Sequence, residues 1–152
     1  DGPVDRKPIA YGGNSTKVIV LMTDGFNQWS ANPYSPFRSI YSSLGYMANS
    51  RLASYGSNYR GVDSSGPTNG DNYRAQMDAA LLDACQNAKK AGVIIFTVGF
   101  STSSDPIDEQ GIALLKACAT KSNYYYSADI QISLKSAFEF IARNISKQRL
   151  TM

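Results

Sequence analysis

The residues best placed for chemistry follow two apolar runs of the sequence. Asp24 comes directly after the run at residues 17–23, and a polar turn at residues 99–104 follows the run at residues 93–98. In open parallel α/β sheets, binding sites form beyond the carboxyl ends of the strands. A carboxylate there is a candidate ligand for Mg²⁺, which binds one or two carboxylates and keeps several waters. The alternative is that Asp24 closes a local turn with Gly25.

The residue types present exclude several classes of enzyme and partner. The 152 residues contain no histidine, which excludes Ser-His-Asp and Cys-His catalysis and zinc sites built on imidazole. Neither the glycine pattern of dinucleotide-binding turns nor that of phosphate-binding loops occurs. The charged residues behind the net charge of +3 are scattered rather than clustered, so no nucleic-acid partner is expected. Cys85 and Cys118 fit neither a CxxC pair nor a dense framework, and by themselves they leave open two buried thiols or one disulfide.

The elements that must position these residues alternate along the chain. Apolar runs without polar alternation, at residues 17–23 and 93–98, are typical of strands buried on both faces, and residues 123–127 are a short third strand. Helices are predicted at residues 73–91, from Asp105 to about Lys121, and at 132–149. Strands that alternate with helices indicate βαβ units. We therefore predict an α/β fold, a three-layer Rossmann-like parallel sheet with helices on both faces and about three main strands.

Local signals set the expected helix ends and faces. Asp71 or Asn72 is expected to cap the first helix. Asp105 is expected to cap the second, with Pro106 at its first position. Apolar residues at helical spacing mark the inner face of the last helix, namely Leu134, Phe138, Ile141 and Ile145.

The chain is organised as one domain at residues 17–150, after an irregular lead-in at 1–16, with a long aromatic loop at 26–71. A connection of this length in a compact domain is usually functional or mobile. Its aromatic side chains form either a binding surface or a small core that stabilises the loop. The candidate surface residues are Phe26, Trp29, Tyr34, Tyr41, Tyr46 and Tyr55.

An ordered set of motifs resembles a known family. Residues 17–25 (KVIVLMTDG), followed two elements later by 91–100 (AGVIIFTVGF), resemble the second half of a von Willebrand factor A domain. The similarity is more specific to the C-terminal region of TadG-type pilus assembly proteins of the bacterial tight-adherence system. That similarity rests on further motifs in the same order: Leu44-Gly45-Tyr46-Met47, Leu82-x-x-Cys85, residues 114–119 before three tyrosines, and residues 137–146.

The resemblance implies a non-enzymatic protein-binding or adhesion module with a metal-ion-dependent adhesion site at the carboxyl ends of its strands. Of the family's metal ligands only one has a counterpart here, Asp24, and the Asp-x-Ser-x-Ser motif is absent from the sequence. One carboxylate without hydroxyl partners is a poor Mg²⁺ site, because the ion gives up its waters reluctantly. This chain alone is therefore not expected to bind a metal tightly, whereas Mg²⁺ is expected in the full-length domain.

The resemblance also implies a location outside the cytoplasm, with a membrane anchor in a segment that this chain does not contain. Disulfides persist there, which favours a bridge between Cys85 and Cys118. In the family, the strand that corresponds to residues 17–23 pairs with a further strand, so here we expect it to have an open apolar edge. Residues 1–16 or the aromatic loop would cover that edge, or two chains would associate through it. We favour self-association, beside a protein partner such as a pilus or surface component.

Two other functions stay open at this point. A Mg²⁺-dependent hydrolase would use Asp24 and Asp105 on neighbouring strand-end loops, but the sequence offers it no phosphate-binding loop and no histidine. A purely structural half-domain would leave the binding site to another part of the polypeptide.

Overall fold

The structure of the chain is a computed structural model. It describes residues 16–27, 32, 34, 36, 41, 44–46, 49, 51–52, 70–102, 104, 106–128 and 131–149, with the backbone alone at 70–73, 131–133 and 147–149. Most of the lead-in and of the aromatic loop lies outside the described residues. The same holds for Trp29, Tyr55 and Asp105 among the predicted site residues.

Strands and helices alternate in the described part of the chain. A short 3-10 turn at Ser122–Tyr124 precedes the last strand. The elements in chain order are β1 (Val18–Thr23), α1 (Gly70–Lys90), β2 (Ile94–Phe100), α2 (Glu109–Cys118), β3 (Tyr125–Ala128) and α3 (Gln131–Arg149). Among these described helices, none combines the length and the apolar character needed to cross a membrane.

The strands form one parallel sheet in the order β1-β2-β3. Val18 to Thr23 pair with Ile94 to Gly99, and β3 pairs with the second half of β2, from Thr97 onwards. The central strand is therefore β2, with β1 on one side and β3 on the other. This arrangement confirms the predicted α/β parallel sheet.

One face of β2 packs against α3. Phe96 and Val98 are fully buried there, in a cluster that includes Ile141 of α3. The ring of Phe96 stacks on that of Tyr124, with the ring centroids 4.2 Å apart. These residues alternate along β2, as the pleat of a strand requires.

The opposite face of β2 packs against α1 and α2. Ile95 is buried beside Cys85 of α1 and Cys118 of α2. Thr97, also fully buried, donates a hydrogen bond of 3.0 Å from its hydroxyl to the carbonyl oxygen of Leu115 in α2. The helices thus cover both faces of the sheet, and the three predicted layers are confirmed.

The predicted start of α2 was wrong. The helix begins at Glu109 rather than near Pro106, and Asp108 is its N-cap, because the Asp108 carboxylate accepts a hydrogen bond of 2.8 Å from the Gly111 N–H. The N–H of Ile107 instead donates to the Ser101 hydroxyl, which holds residues 106 and 107 as an approach to the helix. Pro106 therefore lies in the segment that leads to the helix and not in its first turn.

The predicted cap of α1 was also wrong, since the helix begins at Gly70 and includes Asp71 and Asn72. On α3, Phe138 is 44% exposed, although the spacing predicted it to face inward. Ala137 is buried in its place, together with Ile141. Both positions fit a helical spacing, and the small Ala137 side chain lets the helix lie close to the sheet.

A disulfide joins α1 to α2. It links Cys85 and Cys118, whose Cα atoms are 5.3 Å apart, and thereby confirms the predicted pairing. One turn later on α1, the Lys89 ammonium donates hydrogen bonds of 2.9 Å and 3.3 Å to the carbonyl oxygens of Ala117 and Ala119. These bonds satisfy carbonyls at the C-terminal end of α2, where a positive charge is favoured by the helix dipole.

Removing this disulfide is expected to destabilise the fold. The Cys85→Ala/Cys118→Ala variant should lose about 3–4 kcal/mol of unfolding free energy, because the bridge joins residues 33 apart and restricts the unfolded chain. Urea denaturation of both proteins measures the difference. A reductant should destabilise the wild type and leave the variant unchanged. Two reactive thiols in the denatured, unreduced wild-type chain would contradict the bridge.

Candidate functional site

Two segments predicted to carry the site lie side by side at the carboxyl edge of the sheet. They are the turn at Asp24 and the turn that begins at residue 99. Thr23 at the end of β1 pairs with Gly99 near the end of β2, so the loops that follow the two strands leave from adjacent positions. The first turns of α1 and α2 approach the same edge, since a helix that connects parallel strands starts above their carboxyl ends. This edge is the candidate site.

Asp24 is exposed at this edge, directly after β1. The turn that follows the strand is closed by its neighbour, because the Thr23 hydroxyl oxygen accepts a hydrogen bond of 3.2 Å from the Gly25 N–H. This hydrogen bond is made by Thr23, and the part of the Asp24 carboxylate in the turn stays a prediction. Asp24 is exposed, and the loop residues Phe26 and Asn27 follow it.

Five polar residues at this edge form a cluster that we call the Arg74 network, composed of Arg74, Asp78, Asp108, Asn27 and Gln110. The Asp78 carboxylate is buried and accepts hydrogen bonds of 2.7 Å from the Asn27 amide and 2.8 Å from the Gln110 amide. Arg74 forms ion pairs with both carboxylates, and its second guanidinium nitrogen lies 2.7 Å from Asp108 Oδ1. The network ties the loop after β1 to the N-terminal half of α1 and to the start of α2.

The ion pair between Arg74 and Asp108 changes the pKa of Asp108. Two hydrogen bonds from the Arg74 guanidinium hold the pKa of Asp108 below its usual value, although partial desolvation opposes them. The N–H of Gly111 and the positive charge of Arg74 lower that pKa further. The ionised form of Asp108 is therefore the form that stabilises the folded chain.

The aromatic candidates differ in how the structure places them. Phe26 is 48% exposed, and the Arg74 guanidinium lies over its ring, 4.3 Å from the centroid. Tyr34 and Tyr41 are 95% and 71% exposed. The rings of Tyr41 and Tyr46 meet edge to face at 5.0 Å, and Trp29 and Tyr55 lie outside the described residues. These observations do not decide between a contact surface and a small core of the loop, and both stay predictions.

A cavity of about 280 Å³ lies next to the Arg74 network, under the end of β1. Its walls come from Leu21 of β1, Leu81 of α1 and Leu114 of α2, and the loop residues Phe26 and Asn27 form its rim. The wall residues are apolar, while polar groups stand at the rim. Sites that bind organic groups typically combine these two features.

The described residues do not fit the Mg²⁺ site that the resemblance implies. In the described part of the chain, no group of three or more Asp, Glu or Cys side chains is arranged to hold a metal ion. Asp24 is exposed, and two other carboxylates described near this edge, Asp78 and Asp108, are paired with Arg74. A hard cation needs several oxygen ligands at once, which Asp24 alone does not supply.

Sequence reasoning missed most of the Arg74 network. Arg74 and Asp78 stand four residues apart on one helix, and that spacing is the one signal that predicts part of the network. Asn27 and Gln110 reach Asp78 only through the tertiary fold. The helix start predicted at Asp105 and Pro106 would place Asp108 inside the first turn of α2, and no local signal indicates that it pairs with Arg74.

No protein family matches this sequence, and no curated protein or solved structure is similar to it at a significant level.

The Asp108→Asn variant tests the ion pair between Arg74 and Asp108. Asparagine also caps helices well, so the Asp108→Asn variant removes the charge and keeps the cap. Because the Asp108 side chain is 40% exposed, we expect it to lose about 0.5–1 kcal/mol of unfolding free energy at pH 7. Since the folded pKa is depressed, this loss should be full above the unfolded pKa of about 3.9 and should vanish as the pH falls through the lower folded pKa.

Denaturation curves at neutral and acidic pH measure this difference, and Glu109→Gln serves as the matched control on the same helix turn. A destabilisation of Asp108→Asn that stays constant from neutral to strongly acidic pH would show that the charge pair is not its cause.

A metal titration tests whether the Asp24 carboxylate binds a divalent cation. We expect calorimetry to show no tight binding of Mg²⁺ or Mn²⁺, and the melting temperatures of wild type and Asp24→Ala to be equally insensitive to either ion, because one exposed carboxylate binds such cations weakly. Micromolar binding that Asp24→Ala abolishes would contradict this expectation.

Proposed function

We propose that this chain is a non-enzymatic protein-binding module whose sheet corresponds to the C-terminal half of a von Willebrand factor A domain, most similar to TadG-type pilus assembly proteins. The observation that carries the proposal is the state of β1. This strand is as apolar as a strand from the middle of a sheet, yet within the described residues it pairs on one side only. Such an edge recruits another strand.

The side chains of β1 support this proposal on both faces of the sheet. Ile19, on the face of α1 and α2, is 45% exposed. Val20 and Met22, on the face of α3, are 38% and 51% exposed. The cause is the position of the helices, since α3 packs on β2 and β3 and α1 packs mainly on β2 and α2. Burial of these side chains by a partner would be favourable, at roughly 25 cal/mol per Å² of apolar surface.

The backbone of β1 offers hydrogen-bonding groups on its outer side. The N–H of Ile94 donates to the carbonyl of Lys17, and the register pairs Ile94 with Val18. In a parallel ladder this pattern turns the backbone groups of Ile19 and Leu21 toward β2. The N–H and C=O groups of Val18, Val20 and Met22 therefore point to the outer edge, where a further strand would bond to them.

The carboxyl edge supplies the proposed contact surface for a protein partner. It presents the Asp24 carboxylate, which we interpret as a remnant of the adhesion-site ligands, and the ring of Phe26. Aromatic rings provide much contact area at low entropic cost, and the exposed Tyr34 and Tyr41 extend the same property to the loop. The disulfide supports a location outside the cytoplasm, because such bonds persist in oxidising compartments.

A second copy of the chain is the proposed occupant of the β1 edge. Two copies related by a two-fold axis perpendicular to the sheet would pair their β1 strands antiparallel, with the same surface used by both. The two sheets would then continue as one. The partner in the cell is a pilus or surface protein that makes the same kind of contact.

A proline scan of β1 tests this proposal. Val20→Pro removes an outward N–H and leaves the bonds to β2 in place, so we expect it to weaken self-association at least about tenfold in sedimentation equilibrium. Val20→Ala keeps the N–H and loses only part of one side-chain contact, so it should weaken association much less than Val20→Pro. Leu21→Pro removes an N–H that bonds to β2 and should instead lower the melting temperature. A wild-type chain that stays strictly monomeric at high concentration would contradict self-association through this edge.

A further inference from the structure

The cavity under the end of β1 has apolar walls from three separate elements. Leu21, Leu81 and Leu114 line it from β1, α1 and α2, and Leu115 adds to the wall from α2. The space exists because α1 packs mainly on β2 and α2. Walls of this kind favour an uncharged, apolar group, because a charge that enters them loses its hydration without compensation.

The rim of the cavity adds an aromatic ring and a hydrogen-bond acceptor. Phe26 lines the cavity, and its half-exposed ring can contact a second ring by its face or its edge. Asn27 also lines it, and the amide nitrogen of that side chain donates to Asp78. Since the amide oxygen of Asn27 can only accept, the rim suits a group that donates a hydrogen bond.

The charges beside the rim disfavour an anion. The Arg74 network contains two carboxylates, those of Asp78 and Asp108, and one guanidinium, so its formal net charge is −1. The exposed Asp24 precedes Gly25, which lines the cavity, and adds a further negative charge to this edge. A carboxylate or a phosphate would be repelled by these groups, whereas a neutral donor would not.

The size of the cavity limits the ligand to about one ring. A cavity of about 150 Å³ lined by Leu, Ile and Phe binds benzene in another protein, so a cavity of about 280 Å³ admits one ring with small substituents. The rim is already held in place, because the Arg74 guanidinium lies over the Phe26 ring and Asn27 is bonded to Asp78. A preformed rim lowers the entropic cost of binding.

We propose that this cavity binds a small neutral aromatic compound that carries one hydrogen-bond donor on its ring, namely a phenol. The leucine walls and the Phe26 ring contact the aromatic ring, and the Asn27 amide oxygen accepts the hydrogen bond of the hydroxyl group. The site is built by β1, α1 and α2 of one chain, so it requires neither a second copy nor a strand added to β1. It is a ligand site in addition to the proposed protein contact.

A titration with three related compounds tests this site. The compounds p-cresol, toluene and p-toluate share a methyl-substituted ring and differ in one group, which is a hydroxyl, a hydrogen or a carboxylate. We expect p-cresol to shift the amide NMR signals of Leu81 and Gly111 and to bind about three- to tenfold more tightly than toluene, the gain of one hydrogen bond. At neutral pH, p-toluate should bind at least about tenfold more weakly than p-cresol, because its charge is disfavoured by walls and rim alike.

Two variants test the location of the site. Leu81→Phe fills the cavity and should weaken binding of p-cresol at least about tenfold. Leu82→Phe is the matched control, because Leu82 is the neighbouring leucine of α1 and does not line the cavity. If Leu81→Phe lowers the melting temperature, Phe26→Ala serves instead, since it removes the ring of the rim at a half-exposed position and should weaken p-cresol as well.

A tyrosine side chain carries the same phenol, and N-acetyl-tyrosine amide distinguishes this source from a free compound. We expect the amide to bind more weakly than p-cresol, because its peptide groups need hydrogen-bond partners that leucine walls do not supply. Tighter binding of the amide would assign the cavity to a protein side chain and overturn the inference.

Three other results would also overturn it: no binding of p-cresol, binding of p-toluate as tight as that of p-cresol, or p-cresol binding that both Leu81→Phe and Phe26→Ala leave unchanged. These measurements do not depend on the proline scan of β1. A chain that binds p-cresol as a strict monomer keeps the ligand site and loses self-association, and a chain that self-associates without binding p-cresol does the reverse.

Discussion

The burial of β2 on both faces is the constraint on which the rest of the structure depends. Phe96 and Val98 require one apolar layer, and Ile95 and Thr97 require another, because a central parallel strand leaves neither face to water. The first layer comes from α3, and α1 and α2 supply the second. The hydroxyl of Thr97 is satisfied only because a backbone carbonyl of α2 lies within hydrogen-bonding distance. Burial of one strand thus sets the positions of all three helices.

The helices cover β1 less fully than β2. The candidate site lies at the end of this less covered strand. Both strands have apolar sequences, but the helices that cover β2 leave Val20 and Met22 half exposed. Beside this uncovered strand, the Arg74 network fixes the loop that carries Phe26. Within the described residues, a strand paired on one side only and the loop residues 26 and 27 held by the Arg74 network therefore lie next to each other.

The fold could be predicted further than the site, for physical reasons. Uninterrupted runs of β-branched residues and the spacing of Leu81, Cys85 and Ala88 are local signals, and they predicted the strands and the inner face of α1. The start of α2 depended on which acid, Asp105 or Asp108, is the N-cap; Asp108 takes this role by accepting the Gly111 N–H, and the sequence holds no local signal for that choice. The Arg74 network joins residues 34 and 51 positions apart, so only the folded chain brings them together.

The disulfide between Cys85 and Cys118 also has a mechanical consequence. It encloses β2, the end of α1 and nearly all of α2 within one covalent loop. A force that stretches the chain from its two ends passes through the sulfur atoms and bypasses this loop. The oxidised chain therefore extends by about 110 Å less than the reduced chain, which is the extended length of the 33-residue interval. The central strand is kept out of the path along which tension is transmitted.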